Sequence, residues 1–263
     1  MDLDARAIEF GRALGHRALA DTLPTLASGQ DAAVLAVGGA TAVFAWPGAP
    51  FNQAIGLGWS GNPPDVDLDA VEAFYRAHGQ AAVLDLADQA PPDWRAILWA
   101  RGYRLKEALY DWTRPLRPED RRLGDGRVTR AVDARALEAY AAAVARGFLD
   151  GEEPTAADLD IARAIARTPD TEIFVAWDEE GAAVAGGALQ VRGPIAYLYS
   201  AATRPEARRQ GLQTALIGAR LAFAAQSGAR LATIQTEPAG GSRRNAERLG
   251  FRVAYTTWNL TAP

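Results

Sequence analysis

The sequence contains no cysteine, only two histidines, one lysine and one methionine. Without cysteine the chain cannot form disulfides, thiolate zinc sites or iron–sulfur clusters, and it has no cysteine nucleophile. The two histidines, His16 and His78, are too few for a histidine-rich metal centre, so we expect no metal cofactor. Each lies in a predicted helix, where we interpret it as a solvated or capping residue.

Long apolar runs and an excess of positive charge are also absent. No segment reaches the roughly 18 apolar residues that a membrane helix needs, and Met1–Phe10 carries acidic residues where a signal peptide begins with basic ones. We therefore expect a cytoplasmic protein without membrane contact. The formal net charge is -4 with both signs interspersed, which gives no basic surface for nucleic acid.

The length of 263 residues and the 49% hydrophobic composition allow one large domain or two ordinary ones. The segment Arg114–Arg127 is rich in proline, glycine and charge and has no apolar periodicity, which is typical of an interdomain linker. We predict a first domain over residues 1–116, a linker over 117–126 and a second domain over 127–263.

The two halves of the chain resemble each other in pattern. Val34–Trp46 and Ile173–Leu189 each predict a strand, a glycine-containing turn and a second strand. Ala100–Arg114 and Arg248–Leu260 each predict a helix end, a glycine with an aromatic residue, and a strand. The agreement in order and spacing indicates an internal duplication, with chance similarity between two α/β segments as the alternative.

Helix-start signals and strand patterns alternate along the second half. Asp133 predicts a helix start, and Thr155 with Asp158 forms a predicted capping box. The first half repeats this order more loosely, with a predicted strand over Gln53–Trp59. The fold class is therefore α/β, with a mixed central sheet flanked by helices in each half.

The segment with the clearest chemistry runs from Ile195 to Ala225. A predicted strand ends at Thr203-Arg204-Pro205, followed by the basic turn Arg208-Arg209-Gln210-Gly211 and an amphipathic helix. A strand, a glycine turn and a helix start gather backbone N–H groups where the helix dipole favours an anion, and the arginines add charge. The alternative is an ordinary strand-to-helix turn with solvated arginines. Neither a P-loop nor a GxGxxG fingerprint is present.

These residues resemble the GNAT acyltransferase superfamily, in which a strand, V-x-P and [QR]-x-x-G-x-[GA] open a helix that binds the pyrophosphate of acetyl-CoA. Thr203-Arg204-Pro205 corresponds to V-x-P, and Arg208–Gln213 corresponds to the turn, with Gln213 in place of glycine or alanine. The resemblance extends through Thr236–Phe251, which is similar to the closing helix and the "GF" strand start of the superfamily.

The resemblance implies acetyl-CoA as the co-substrate of the second half. The residues that it implies as contacts are Ala201, Ala202, Thr203, Arg208, Arg209, Gln210, Gly211, Leu212, Gln213, Thr214, Ser242 and Asn245. The first half also resembles a GNAT domain, which suggests a tandem architecture. There the segment Gly58–Asp65, without arginine, replaces the basic turn, so we expect this half to bind no cofactor and to serve packing or the shaping of an acceptor site.

In this superfamily an amine attacks the thioester directly within a ternary complex, and the lack of cysteine agrees with that chemistry. Ser200 and Thr214 are the alternative nucleophiles. Deprotonating an ordinary alkylamine at pH 7 costs about 4–5 kcal/mol, so a base or a desolvating pocket is needed. The candidates for the base are Glu237, at the end of a predicted strand, and Glu152 or Glu153 in a loop.

Many members of the superfamily place a tyrosine four residues before the glycine of "GF" as the general acid. This chain has Ala246 at that position. The substitutes are Tyr199 and Tyr255, each of which has a structural reading as a core residue of a strand. Direct protonation of the thiolate by water is the other alternative, because a thiolate with a pKa near 8.5 is already a tolerable leaving group.

The leading functional hypothesis is an N-acyltransferase that moves an acetyl group from acetyl-CoA to a primary amine of a small molecule or peptide. The alternative is a non-catalytic protein that binds or senses acyl-CoA, and transfer of a longer acyl chain is a third possibility. Both a monomer and a homodimer are compatible with an internal duplication.

Overall fold

The computed structural model describes residues 5–26, 32–59, 62–124 and 126–263. In the first half the helices and strands are α1 (Ala5–Thr22), β1 (Ala33–Val37), β2 (Ala40–Phe44), β3 (Ala54–Ile55), α2 (Pro64–Ala77), β4 (Val83–Ala87), α3 (Pro92–Ala100) and β5 (Arg104–Pro115). In the second half they are β6 (Val128–Arg130), α4 (Ala134–Phe148), α5 (Ala156–Arg167), β7 (Thr171–Trp177), β8 (Ala183–Arg192), β9 (Ile195–Thr203), α6 (Leu212–Gln226), β10 (Leu231–Thr236), α7 (Gly241–Arg248) and β11 (Arg252–Thr261).

The two predicted helix starts of the second half are confirmed. The Asp133 side chain accepts a hydrogen bond from the Ala136 N–H at 2.8 Å and caps α4. At α5, Thr155 and Asp158 each accept from the other's backbone N–H, which is the reciprocal arrangement of a capping box. Local side-chain chemistry therefore fixes where both helices begin.

The strands of the described residues form one mixed sheet in the order β1-β2-β3-β4-β11-β5-β10-β9-β8-β7-β6. The two halves repeat the same pairing: β1, β2 and β3 are antiparallel and β3 is parallel to β4, while β7, β8 and β9 are antiparallel and β9 is parallel to β10. This repetition confirms the mixed α/β class and agrees with an internal duplication.

The last strand of each half lies among strands of the other half. β5 lies between β10 and β11, and β11 lies between β4 and β5. Trp112 on β5 packs into the core of the second half and donates from its indole Nε1 to the Thr236 hydroxyl at 2.9 Å. Because the sheet is continuous across the linker, the boundaries 1–116, 117–126 and 127–263 stay a prediction.

Helices cover both faces of the sheet. On β7, Ile173 and Val175 point toward α4 and α5, while Phe174 and Ala176 point toward α6, as the alternation of a strand requires. α1 lies on the same face as α4, and α2 and α3 lie on the face of α6. Within the described ranges, every helix is too short or too polar to cross a bilayer.

The strand predicted over Gln53–Trp59 is much shorter in the structure, where β3 covers Ala54–Ile55. Gly56 and Gly58 follow with φ values of +88° and +89°, a backbone conformation that ends an extended strand. Within the predicted segment Gly58–Asp65, Ser60 and Gly61 lie outside the described residues.

The exchange of β5 and β11 predicts that residues 127–263 do not fold alone. Without β5, the strands β10 and β11 lose the strand that hydrogen-bonds to both of them, and two unpaired edges are exposed. We expect the fragment to lack a cooperative thermal transition by circular dichroism, whereas the full chain unfolds in a single transition. A fragment with a native-like transition would contradict this dependence.

Candidate active site

A gap between β9 and β10 is the central feature of the second half. The two parallel strands pair from Ile195 and Leu231 up to Leu198 and Ile234, and no pairing between them follows. Beyond that point β9 carries a bulge, in which Ser200 and its neighbour face a single residue of β8, and Ser200 has a left-handed φ of +44°. Backbone groups of both strands are therefore available at the gap.

The bulge is packed from both faces of the sheet. Gly186 and Gly187 lie opposite it on β8, and a Cβ atom would come within 2.6 Å of the Tyr140 ring and within 2.9 Å of the Arg220 guanidinium, respectively. The Tyr140 hydroxyl lies 2.8 Å from the Ser200 Oγ atom. Only glycine on β8 leaves room for these two large side chains, so the bulge, the glycines, Tyr140 and Arg220 form one structural unit.

A cavity of about 400 Å³ lies beside the gap on the α6 side, between α6 and α7. We call it the α6–α7 cavity. It brings together six of the fifteen binding and catalytic residues predicted from the sequence: Tyr199, Ala201, Gln213, Glu237, Ser242 and Asn245. Glu237 lies exposed at the end of β10, and Asn245 accepts a hydrogen bond from Arg248 at 3.4 Å.

The start of α6 has backbone features that suit an anion. Gly211 precedes the helix with a φ of +79°, a conformation that favours glycine. The first hydrogen bond of the helix runs from the Ala215 N–H to the Gly211 carbonyl, so the N–H groups of Leu212, Gln213 and Thr214 have no partner within the helix. These donors and the positive end of the helix dipole fit a phosphate group.

The arginines of the turn differ in their roles. The Arg208 guanidinium pairs with Asp150 at 2.5 Å, and its Nε also donates to the Thr203 carbonyl, so this side chain holds the turn to the neighbouring loop. Arg209 is exposed with a φ of +66°, and its side chain has no ion pair within the part of the chain that the structure describes. Arg127 donates to the Gln210 carbonyl at 2.9 Å. Arg127 was not predicted as a site residue, because it ends the proline- and glycine-rich segment Arg114–Arg127, far in sequence from the motif.

The other predicted contacts link the strand to the helix. The Thr203 hydroxyl accepts a hydrogen bond from the Gln213 side-chain amide at 2.8 Å. Gln213, the departure from the usual glycine or alanine, therefore joins β9 to the first turn of α6. Ala202 is buried against α4, and Leu212 is buried in the core under α6, so only the backbones of these two residues are suited to a ligand.

A larger cavity of about 680 Å³ lies on the opposite face of the sheet, between α1 of the first half and α4 and α5 of the second. We call it the α1–α5 cavity. Its walls are mainly apolar, with Leu19, Phe51, Val144 and Ile161 among them. Such a lining, with a few polar groups, is usual for a small-molecule site.

The two histidines lie in different surroundings. His16 lines the α1–α5 cavity, and burial, reinforced by the charge of Arg12, lowers its pKa to about 3, so the imidazole is neutral at pH 7. His78 does act as a capping residue: its Nδ1 atom lies 2.8 Å from the Phe74 carbonyl, and its ring stacks on Phe44.

A buried cluster of charges, the α1 acid cluster, lies at the junction of the two halves. Arg12 on α1 contacts Glu9 at 2.6 Å, Asp85 on β4 at 2.9 Å and Asp111 on β5 at 3.9 Å. Tyr255 on β11 donates its hydroxyl to Glu9 at 2.7 Å and lines neither cavity. This position does not favour the role of general acid that the sequence analysis gave to Tyr255.

Asp111 is the acid of this cluster that lines the α1–α5 cavity. It accepts hydrogen bonds from the Gln235 amide at 3.1 Å and from the Thr257 hydroxyl at 2.5 Å. Burial raises its pKa to about 7, with Arg12 opposing the shift and Glu9 adding to it. Asp111 was not predicted as a site residue, although an acid between Tyr110 and Trp112 in a strand was a usable signal.

The two cavities meet at the gap. They share the lining residues Phe148, Leu198, Tyr199, Ser200, Ile234 and Gln235. The Tyr199 hydroxyl lies 3.0 Å from the Thr171 hydroxyl, and burial raises the pKa of Tyr199 to about 12. Molecules bound in the two cavities would therefore approach each other at the bulge of β9.

The first half has a different chemistry at the equivalent helix start. α2 begins with Pro64, and its first turn carries Asp65 and Asp67. Proline removes an N–H donor, and carboxylates already occupy the positive end of the helix dipole, so this turn opposes an anion. In the described parts of both halves, no group of three or more histidine, cysteine or acidic side chains is arranged to hold a metal ion.

Comparisons with known proteins agree with this geometry. Residues 136–251 match the model of the Acetyltransferase (GNAT) family. A GCN5-related N-acetyltransferase from Kribbella flavida is 19% identical with a TM-score of 0.58, and the alignment covers 95% of each chain. A tandem GNAT protein from the clavulanic acid biosynthesis pathway is 16% identical with a TM-score of 0.61, covering 88% of this chain and 83% of that one.

A GCN5-related N-acetyltransferase from Sphaerobacter thermophilus is 16% identical with a TM-score of 0.56, covering 88% of this chain and 76% of that one. The comparison with curated proteins gave no match. At these identities the solved structures support the fold alone, and the family model supports the assignment of the second half. The second half therefore matches the GNAT acetyltransferase family over residues 136–251, and the fold of the whole chain is similar to that of solved GNAT proteins, a tandem GNAT protein among them.

Proposed function

We propose that this protein transfers an acetyl group from acetyl-CoA to a primary amine by direct attack within a ternary complex. The observation that carries the proposal is the gap between β9 and β10, where a cavity beside an anion-binding helix start meets a second cavity on the opposite face. A donor and an acceptor bound on opposite faces would have their reacting atoms at the same point.

In this proposal the α6–α7 cavity takes acetyl-CoA. The N–H groups of Leu212, Gln213 and Thr214 bind the pyrophosphate, and Arg127 and Arg209 add positive charge at the same turn. Ser242 and Asn245 at α7 line the path of the pantetheine arm. The thioester carbonyl lies at the bulge, where each backbone donor to the developing oxyanion is worth about 2.7–4 kcal/mol.

The amine acceptor occupies the α1–α5 cavity and attacks the thioester carbon through the gap. The C–N bond forms, the C–S bond breaks, and the thiolate of CoA leaves with a proton. Tyr199 is the candidate proton donor, because it lines both cavities at their junction. Of the predicted bases, Glu237 lines the donor cavity, whereas Glu153 pairs with Arg146 at 2.8 Å outside both cavities.

The first half has no donor site of its own in this proposal. It supplies α1, which forms one wall of the acceptor cavity, and β5, which lies beside β10. We propose a cytoplasmic protein that acts on a small-molecule or peptide amine, as a monomer or a homodimer, without nucleic acid as a partner.

Replacing Gly211 by valine tests the donor site. A side chain at φ +79° is strained and fills the entry to the first turn of α6, so we expect the affinity for acetyl-CoA to fall about tenfold or more in isothermal titration calorimetry. Gly228→Val is the matched control, because Gly228 has a φ of +85° at the other end of the same helix and open space around it. Equal losses in the two variants, or no loss in Gly211→Val, would contradict the assignment.

A non-catalytic acyl-CoA sensor is the second candidate. It is favoured by Ala246 at the position of the usual tyrosine and by the engagement of Tyr255 with Glu9. Release of free CoA in the presence of an amine panel separates the two candidates, because a sensor binds acetyl-CoA and turns over none of the amines. Mass spectrometry of the products distinguishes acetyl transfer from transfer of a longer chain.

A further inference from the structure

The α1 acid cluster carries more negative charge than its one arginine balances. Glu9, Asp85 and Asp111 surround Arg12, and the side chains of all three acids are about 1% exposed. Buried carboxylates demand either a cation or a proton, because their charge is poorly solvated. The cluster therefore has a net negative charge that a second cation would balance.

The geometry shows which acid has no hydrogen bond to the arginine. The Arg12 guanidinium hydrogen-bonds to Glu9 at 2.6 Å and to Asp85 at 2.9 Å, but its nearest approach to Asp111 is 3.9 Å. The hydrogen-bond donors to Asp111 are neutral, an amide of Gln235 and a hydroxyl. The uncompensated acid is thus the acid that lines the α1–α5 cavity.

The remainder of the cavity suits an apolar body. Leu19, Phe51, Val144, Ile161 and Ile165 form its walls, and its volume of about 680 Å³ is in the range of small-molecule sites. Two basic groups line the cavity: Arg12 is hydrogen-bonded to Glu9 and Asp85, and His16 is neutral at pH 7. The cavity thus combines the Asp111 carboxylate, which has no hydrogen-bonded cation, with mostly apolar surroundings.

On the basis of the proposed function, we propose that the acceptor is a primary amine with an apolar body, and that Asp111 binds its ammonium group and takes its proton. The ammonium gives one proton to the Asp111 carboxylate, and the nitrogen forms a bond to the thioester carbon. The C–S bond then breaks, Tyr199 gives its hydroxyl proton to the departing thiolate, and the second proton of the nitrogen restores the Tyr199 hydroxyl. The product is an amide and free CoA, and Asp111 returns its proton to solvent.

The position of Asp111 in the sheet supports this role. Asp111 pairs in register with Gln235 on β10, and Gln235 is one of the residues that the two cavities share at the gap. The amide of Gln235 also bridges Arg12 and Asp111, which holds the carboxylate beside the gap. The base would come from the first half of the chain, and the donor site from the second.

The proton-accepting role implies a pH dependence. The charged and titratable groups around Asp111 come from α1, β4 and β11, and they are Glu9, Arg12, His16, Asp85 and Tyr255. Because burial raises the pKa of Asp111 to about 7, its active carboxylate form increases as the pH rises through 7. We therefore expect kcat/KM for the amine to rise through the same range in the wild-type protein.

The test compares Asp111→Asn with Asp85→Asn in the full chain. The amines are 2-phenylethylamine and hexylamine as apolar probes and spermidine and glucosamine as polar ones. We expect kcat/KM of the wild type to be at least about tenfold higher for the apolar probes than for the polar ones. We expect Asp111→Asn to lower kcat/KM for the apolar probes by roughly 100-fold or more and to abolish its rise near pH 7. Asp85→Asn removes a buried acid outside the cavity. We therefore expect this variant to keep the rise of kcat/KM near pH 7, even if its melting temperature falls.

The outcomes separate this inference from the proposed function. Absence of CoA release with every amine would contradict the proposed function and, with it, the inference. Turnover with a preference for the polar amines would contradict the apolar acceptor alone. An unchanged pH profile in Asp111→Asn, or the same loss of that profile in Asp85→Asn, would contradict the role of Asp111.

A second inference rests on Arg220, which is fully buried on α6. Its guanidinium donates to the carbonyls of Leu216 and Ala188 at 3.1 Å and of Tyr199 at 3.4 Å, and its Nη2 atom has no hydrogen-bond partner among the described residues. The described ion pairs give it no carboxylate. Burial lowers its pKa only to about 10, so the side chain is a buried cation at neutral pH.

A buried charge without a counter-ion lowers the stability of the fold, so its presence indicates a functional role. Arg220 lines the α6–α7 cavity and lies against Gly187, directly opposite the bulge of Ser200 and Ala201. We infer that Arg220 is a positioning residue that holds the bulge and directs positive potential at the carbonyl oxygen of the bound thioester. Negative charge develops on that oxygen when the amine attacks.

Replacing Arg220 by methionine separates catalysis from stability. We expect kcat to fall about tenfold or more, with the KM for acetyl-CoA changed less than about threefold and the melting temperature unchanged or raised, because the desolvated charge is removed. Arg220→Lys should retain part of kcat, and added guanidinium ion should restore part of the activity of Arg220→Met. An unchanged kcat, or a loss of kcat that guanidinium does not relieve and that follows a fall in melting temperature, would contradict the inference.

Discussion

The pairing of β5 with β10 and β11 is the interaction on which the rest of the structure depends. It inserts the last strand of the first half into the sheet of the second, and it brings β11 back beside β4. Neither half completes its own sheet. The same pairing sets Asp111 next to Gln235, and it therefore determines which acid reaches the α1–α5 cavity.

The second constraint is the end of pairing between β9 and β10. Once the two strands diverge after Leu198 and Ile234, the sheet no longer separates the cavities on its two faces. The charges are distributed accordingly, with Arg220 and the positive start of α6 on one face and Asp111 on the other. A donor that gains negative charge and an acceptor that arrives with positive charge would each meet the opposite sign.

Much of the second half could be predicted from its sequence, because its signals are local. The caps at Asp133 and Thr155, and the glycine turn before α6, each act within a few residues of their own position.

In the first half, the strand predicted over Gln53–Trp59 is too long because two glycines with positive φ end it. Ser200 and Thr203 lie at the bulge and at the link to α6, close to where the motif placed the donor site.

The parts that could not be predicted depend on contacts between distant residues. Asp111 and Tyr255 share a cluster with Glu9 only because the last strands of the two halves are exchanged. In the sequence, Arg220 looks like an ordinary residue of an amphipathic helix. Its burial could not be predicted, because it depends on glycines of β8 that lie more than 30 positions away. Sequence periodicity carries no information about such pairings.

The most direct test of the account is a crystal structure of the full chain with a bisubstrate conjugate, in which CoA sulfur is joined through an acetyl bridge to 2-phenylethylamine. We expect the pyrophosphate at the first turn of α6, the bridge at the bulge of β9, and the nitrogen within hydrogen-bond distance of Asp111 or of a water molecule held by it. A conjugate whose amine portion lies outside the α1–α5 cavity would contradict the central claim that the two cavities hold donor and acceptor across the gap.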